Sequence, residues 1–281
     1  MKLKIIIFTD LDGTLLDHKT YSFKKALPAL KKIKKTETPV VFVTSKTFAE
    51  VKTLQKKMNL WKKEAFIIEG GGAIFIPENL FDFVLKTELS KEKISKKQSF
   101  WKIEFGKPYS KIQEILKETA RKINVPIKGI GDMTAEEFSK DCGLPLGDAK
   151  EAKKRTYQEG FKILLPKKQQ QKMYKKIKSI IQKKGFYMAI SGRYYQIMGK
   201  PAKIKAVKIL MRLFQKKYGK IYTIGFGDSQ ADLEFIKFCD EGYLIKNPKK
   251  LLKTKIKNPK IKKTENIGPK AWNEIVLRKI K

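Results

Sequence analysis

Phe8-Thr9-Asp10-Leu11-Asp12-Gly13-Thr14-Leu15-Leu16-Asp17 follows directly on the apolar run Ile5-Ile6-Ile7. The run has the length and β-branched character of a buried strand, and Gly13 lets the backbone turn sharply after it. Carboxylates at i and i+2 at a strand end put one acid into a pocket with a second close by. A buried acid pair of this kind needs a cation. It fits a site where one aspartate attacks phosphorus while the other shuttles a proton, with magnesium neutralising the charge around them. Taken alone, the decapeptide also reads as an Asx-rich turn after a strand.

Outward from this segment, strand and helix alternate. Ser22 to Lys35 has helical spacing of Ala26, Leu27, Leu30 and Ile33, and Pro39 to Val43 reads as a second buried strand ending in Thr44-Ser45-Lys46. A helix over Thr47 to Met58 and a strand over Ala65 to Glu69 follow, the strand running into Gly70-Gly71-Gly72. Such alternation predicts a parallel, doubly wound sheet with ligands at the carboxyl ends of its strands, so Asp10, Asp12 and Thr44 should share one rim. From about Phe81 to Ser191 the pattern changes. Strand candidates at Trp101 to Phe105, Phe161 to Leu165 and Phe186 to Ile190 are interleaved with lysine-rich helices, as in a separate α+β insert. Alternation resumes with a helix over Lys203 to Lys217, a strand over Ile221 to Gly225, the loop Phe226 to Asp232 and a short strand over Gly242 to Ile245. A lysine-heavy tail from Lys249 to Lys263 is expected to be partly mobile, and Pro269 to Ile280 to form a closing helix.

The formal charge of +36 suggests nucleic acid as a partner, but the kind of cation argues against a specific reader. Arginine occurs only at 121, 155, 193, 212 and 278, so nearly all the charge is lysine, spread over helix faces, whereas base readers favour arginine forks. The single histidine, His18, excludes multi-histidine metal sites and histidine-based phosphatases. Cys142 and Cys239 lack any CxxC partner, which predicts no disulfide framework and a reducing cytoplasm. The apolar start stops at Thr9-Asp10, too short for a signal peptide, and no later stretch is long enough to span a bilayer. Nothing in the chain requires an oligomer.

Four separated pieces complete the chemistry. Asp10 and Asp12 are the first, and Thr44-Ser45, whose hydroxyls and nearby N–H groups can hold phosphate oxygens, the second. A lysine near the start of the helix at 203 is the third, and Gly227-Asp228-Ser229-x-x-Asp232, a hard-oxygen pattern suited to magnesium, the fourth. Together, Asp10-Leu-Asp12-Gly-Thr-Leu, Thr44, Lys203 and Gly227-Asp228-x-x-x-Asp232 resemble the haloacid dehalogenase (HAD) superfamily of phosphatases, over nearly the whole chain. Lys203 is chosen over Lys200 and Lys205 because it precedes Ala206-Val207 at the family's spacing. The resemblance implies an α/β fold, a HAD-like Rossmannoid parallel-sheet core over 1–80 and 192–281 with an inserted α+β cap over 81–191 that sets specificity.

Further segments are similar to the mannosyl-3-phosphoglycerate phosphatase family: Asp17 to Ser22, Thr44 to Thr47, Glu69 to Ile74, Gly106 to Tyr109, Arg155 to Glu159, Gly192-Arg193-Tyr194 and Gly268 to Asn273. That resemblance implies hydrolysis of mannosyl-3-phosphoglycerate to mannosylglycerate, a compatible solute, with the glucosyl analogue, another sugar phosphate or a phosphosugar mutase reaction as alternatives. A basic nucleic-acid-binding protein on a disused enzyme scaffold is a further alternative. The implied roles are Asp10 as nucleophile, Asp12 as acid and base, and Thr44 and Lys203 as stabilisers of phosphoryl oxygens. Mg2+, or else Mn2+ or Co2+, would be held by Asp10, Asp12, Asp228 and Asp232. Ser45, Lys46, Arg155, Glu159 and Arg193 would bind a small anionic phosphorylated sugar-glycerate, since a guanidinium grips carboxylate or phosphate through two hydrogen bonds. Arg155 and Arg193 also have an ordinary reading, as ion pairs with neighbours such as Glu159. The chain departs from the family pattern with Gly70 in place of asparagine, Ala202 in place of an acid and Ala231 in place of asparagine.

Overall fold

The computed structural model describes residues 3–83, 85–191, 193–248 and 258–280. Gly192 and most of the lysine-rich tail, 249–257, lie outside them. Its first unit is strand β1 (Lys4–Thr9), helix α1 (Leu27–Lys35), strand β2 (Val40–Val43), helix α2 (Phe48–Lys57) and strand β3 (Phe66–Ile68). Thr47 caps α2, its side chain accepting the Glu50 N–H while the Glu50 carboxylate accepts the Thr47 N–H. A hairpin leads into β4 (Ala73–Pro77), then α3 (Leu85–Glu88), β5 (Lys93–Lys97) and β6 (Phe100–Glu104).

A second unit runs from α4 (Tyr109–Lys122) through β7 (Ile127–Gly129), α5 (Ala135–Cys142), α6 (Leu146–Ala152), β8 (Gln158–Ile163) and α7 (Lys167–Lys183) to β9 (Tyr187–Ser191) and β10 (Tyr194–Met198). The chain then returns through α8 (Lys203–Tyr218), β11 (Ile221–Gly227), α9 (Leu233–Phe238), β12 (Glu241–Lys246), β13 (Ile261–Ile267) and α10 (Gly268–Lys279).

Among the described residues the strands form two sheets. The larger has nine strands in the order β13-β12-β11-β1-β2-β3-β4-β6-β5, parallel from β13 to β3 and antiparallel from β3 to β5. Its central strands are apolar on both faces. Ile7, Val40 and Phe42 pack on the side of α1, α2 and α10, whereas Ile6, Phe8, Val41 and Val43 pack on the side of α8 and α9. Trp272 and Ala271 of the Gly268 to Asn273 segment are buried in the first of these cores, and the Asn273 side chain accepts the Ala29 N–H at 2.9 Å.

Two sequence expectations change here. The strand read at Trp101 to Phe105 as part of the insert pairs antiparallel with β4 and extends the large sheet, because period alone does not say which sheet a strand joins. The end of the tail expected to be partly mobile, Ile261 to Lys263, opens strand β13, which pairs with β12. The smaller sheet, β7-β8-β10-β9, is antiparallel. Helices α4 and α7 cover one face, with Ile112, Ile177 and Ile181 in one core with Phe161 of β8. Both cysteines are free, and no helix among the described residues is long and apolar enough to cross a membrane.

Candidate active site

The large sheet's connections run from β1 toward β2 and β3 on one side and from β11 toward β12 and β13 on the other, so a crevice opens at the carboxyl ends of β1 and β11. Asp10 emerges there, its N–H donating to Phe226 O at 2.8 Å. The Asp10 side chain is 10% exposed and that of Asp12 35%, so the first carboxylate is enclosed while the second reaches open space. The chain then turns at Gly13, with φ of +83°, and a Cβ there would overlap Asp228 Oδ2. Only glycine lets the β1 loop lie against the β11 loop.

Asp228, directly after β11, and Asp232, at the start of α9, are both buried. One carboxylate oxygen from each of Asp10, Asp228 and Asp232 lies within 4.8 Å of the others. Lys203, the first residue of α8, places Nζ 2.7 Å from Asp232 Oδ1 and 3.9 Å from Asp10 Oδ1. Gly71, with φ of +96°, makes that possible, since a Cβ on it would fall on the Ala202–Lys203 backbone.

Burial pushes the Asp10 carboxyl well above the usual carboxylate range; repulsion from Asp232, Asp228 and Asp12 adds to this, and Lys203 opposes it. Burial works against the charge of Lys203, but Asp232 and Asp10 outweigh it and favour the ammonium. Among the described residues, three enclosed carboxylates converge beside the Lys203 ammonium, and hard oxygens brought together in this way are a donor set that fits a divalent cation.

Thr44 follows β2 and is fully buried; its N–H donates to Ile67 O at 3.0 Å and its Oγ1 accepts the Lys46 N–H at 3.1 Å, leaving the hydroxyl proton to donate. Ser45 is exposed, and its carbonyl accepts a hydrogen bond from Arg155 Nη1 at 2.8 Å. Lys46 is committed within the rim: Nζ lies 3.0 Å from Asp12 Oδ1 and 3.3 Å from Glu50 Oε1, over the Tyr21 ring.

The remaining expected substrate residues have partners in the second unit. Glu159 is 1% exposed and accepts from Tyr109 Oη at 2.5 Å, Gln113 Nε2 at 3.1 Å, Ile130 N at 3.1 Å and Gly131 N at 3.4 Å. That set satisfies its oxygens and holds the loop after β7. Exposed Arg193 donates to the Asp141 carbonyl. Of the departures, Ala202 begins α8 without a side-chain cap, Ala231 is exposed, and Gly70, with φ of +67°, donates its N–H to Thr44 O at 3.0 Å.

Three neighbours of the acids received no role from the sequence. Thr14 Oγ1 donates to Asp10 Oδ2 at 3.3 Å, the Ser229 hydroxyl to Asp232 Oδ2, and Asn247 Nδ2 to Asp228 Oδ2. Thr14 and Ser229 lie inside the motifs. Asn247 directly follows β12, the neighbour of β11, and the strand-end rule alone could have found it.

Residues 7–268 match the family described as haloacid dehalogenase-like hydrolase. The glucosyl-3-phosphoglycerate/mannosyl-3-phosphoglycerate phosphatase of Methanococcoides burtonii is 38% identical over 277 residues, covering 98% of this chain and 97% of that protein. The mannosyl-3-phosphoglycerate phosphatase of Pyrococcus furiosus is 32% identical over 240 residues, 85% of this chain and 90% of that one. Among solved structures, the sucrose-phosphatase of Synechocystis sp. PCC6803, in complex with sucrose and phosphate, aligns over 99% of this chain and 98% of its own with a TM-score of 0.60 at 12% identity. A Thermoplasma acidophilum protein aligns over 99% and 98% with a TM-score of 0.64 at 14% identity. At such identities these two likenesses speak for the fold alone.

Proposed function

The chain belongs to the haloacid dehalogenase-like hydrolase family and is a phosphatase, and we propose that its substrate is a glycosyl-3-phosphoglycerate, mannosyl or glucosyl, cleaved to the glycosylglycerate and phosphate. The observation that carries the reading is the enclosed Asp10–Asp228–Asp232 cluster with Lys203 against it, at the carboxyl ends of β1 and β11. The 38% identity to a phosphatase named for both glycosyl-phosphoglycerates supports the substrate.

Asp10 is the nucleophile: its carboxylate oxygen attacks phosphorus as the bond from phosphorus to the glycerate oxygen breaks. Asp12, the more open carboxyl, gives its proton to that leaving alkoxide. It then takes a proton from a water whose oxygen attacks the aspartyl-phosphate, releasing phosphate and restoring Asp10. Lys46, 3.0 Å from Asp12, holds this second carboxylate in place. The Thr44 hydroxyl and Lys203 donate to the phosphoryl oxygens in transit. Asp10, Asp228 and Asp232, with the Asp12 carbonyl, would hold Mg2+, or Mn2+ or Co2+ in its place. When bound, the cation supplies Lewis-acid neutralisation of charge on the phosphoryl group.

Sheet membership supports a cap that begins after Gly106-Lys107-Pro108 and ends before Gly199-Lys200-Pro201, two copies of one tripeptide, with Gly199 packed against Lys107. Arg155, anchored on Ser45 O at the rim, is the cap's candidate for the glycerate carboxylate. Free Cys142 and Cys239 accord with a cytoplasmic setting. The test is phosphate release with Mg2+ from mannosyl- and glucosyl-3-phosphoglycerate and from simple sugar phosphates, with Asp10→Asn as the blank. A kcat/KM preference for the glycosyl-phosphoglycerates is expected; equal or poorer turnover of them would remove the substrate from the reading while leaving the phosphatase.

A further inference from the structure

The Glu69 carboxylate accepts hydrogen bonds from three consecutive main-chain N–H groups: Thr156 at 3.0 and 3.1 Å, Tyr157 at 2.8 Å and Gln158 at 2.9 Å. Glu69 lies just past the end of β3, and the three amides lead into and open β8, so one side chain on the catalytic sheet grips the entry of a strand in the other sheet. It is 2% exposed and has φ of +44°, a left-handed conformation uncommon for a side chain of its kind. Gly70 and Gly71 continue the turn with positive φ. The same turn is stitched to the catalytic rim, with Glu69 N donating to Lys46 O at 3.1 Å and Gly70 N to Thr44 O at 3.0 Å. A rigid path therefore runs from Thr44–Lys46, beside the catalytic carboxylates, through Glu69 to residues 156–158.

What that path places is the residue before the gripped amides. Arg155 has its guanidinium on Ser45 O at 2.8 Å and Ala152 O at 2.9 Å, directly at the rim. The residue after Thr156, Tyr157, sits where a Cβ on Gly72 or Gly106 would collide with it, and its hydroxyl donates to Glu104 at 2.6 Å. Packing of the Tyr157 ring fixes where the segment lies, but a ring can turn in its slot. Three N–H groups converging on one carboxylate fix the register of the main chain as well.

Resting on the glycosyl-phosphoglycerate reading above, we infer that Glu69 is a positioning residue for substrate specificity, setting Arg155 over the catalytic rim by holding the amides of residues 156–158. It touches neither phosphate nor metal. Its loss displaces the recognition segment and leaves the phosphoryl-transfer groups where they are.

The experiment compares wild type, Glu69→Gln and Glu69→Ala on mannosyl- or glucosyl-3-phosphoglycerate and on p-nitrophenyl phosphate, a compact phosphomonoester without the glycerate carboxylate. For Glu69→Ala, kcat/KM for the glycosyl-phosphoglycerate should fall about 10²-fold while that for p-nitrophenyl phosphate changes less than about threefold, with Glu69→Gln between, because one oxygen still accepts. Hydrogen–deuterium exchange, which needs no substrate, should show faster exchange at 156–158 in Glu69→Ala and unchanged protection in β1 and β11. Equal losses on both substrates, or a wild-type exchange pattern at 156–158, would overturn the inference. A wild-type enzyme with no preference for glycosyl-phosphoglycerates is instead a failure of the substrate reading, and the exchange data then judge the clamp by themselves.

Discussion

Lys203 Nζ lies 2.7 Å from Asp232 Oδ1 and sets an ammonium against the buried acids of the β1 and β11 loops. Replacing it with methionine keeps the stem and removes the charge. Lys203→Met should lower kcat about 10²- to 10³-fold, the range seen when a donor to a developing oxyanion is lost. Without added metal, the variant should also lose about 3 kcal/mol of stability, since a buried charge pair is broken on one side. Steady-state kinetics and urea unfolding in EDTA check the two parts.

A divalent cation should relieve the same carboxylates. Mg2+ should raise the wild-type melting temperature in a concentration-dependent way, as a ligand that binds only the folded state does. Asp228→Asn removes a ligand and a charge together. Its response to Mg2+ should be largely lost. Differential scanning calorimetry across a Mg2+ titration reads both.

Gly13→Ala tests the contact between the first and fourth motifs. The substitution meets two obstacles, a φ of +83° and a Cβ in the space of Asp228 Oδ2. Strain of this sort costs about 1–3 kcal/mol. Activity should fall more than stability explains, because the side chain pushed aside is a proposed metal ligand; a rise in the Mg2+ concentration for half-maximal rate would show it.

Far from the site, Glu241 bridges β12 to β13 and α10, with Lys262 and Lys279 each 2.7 Å from its carboxylate. Burial works against its ionised form, but hydrogen bonds from Lys262, Lys279 and Tyr243 outweigh burial and hold the carboxyl down to about 2. A depressed carboxyl stabilises the fold fully above its unfolded value of 4.5, and this is lost as pH falls through the folded value of about 2. Glu241→Gln should therefore cost about 2 kcal/mol at pH 7, as expected for hydrogen bonds to a charged group. The gap to wild type should close toward pH 2 in acid-denaturation curves.

Much of this was readable from residues alone, for a physical reason. Parallel strands buried on both faces are continuous apolar runs, and the residues just beyond them share a rim, so Asp10, Thr44 and Asp228 announce their neighbourhood. Lys203 adds a fixed place at a helix start. Strand partnership was not readable: Trp101 to Phe105 alternates as well for either sheet, and only its pairing with β4 assigns it. Nor were partners across long separations. Glu159 accepts from Tyr109, Gln113 and two amides, and Arg193 donates to the Asp141 carbonyl. Such contacts depend on how elements dock, which no local pattern encodes.

The central claim is that Asp10 carries the phosphoryl group, and the most direct measurement is acid-quench trapping of protein-bound phosphate during turnover of a 32P-labelled glycosyl-3-phosphoglycerate. Asp12→Asn, able to form the acyl phosphate slowly but lacking the base to hydrolyse it, should retain label that maps to the peptide containing Asp10. Asp10→Asn should retain none. Label on another residue, or undiminished phosphate release by Asp10→Asn, would contradict the account.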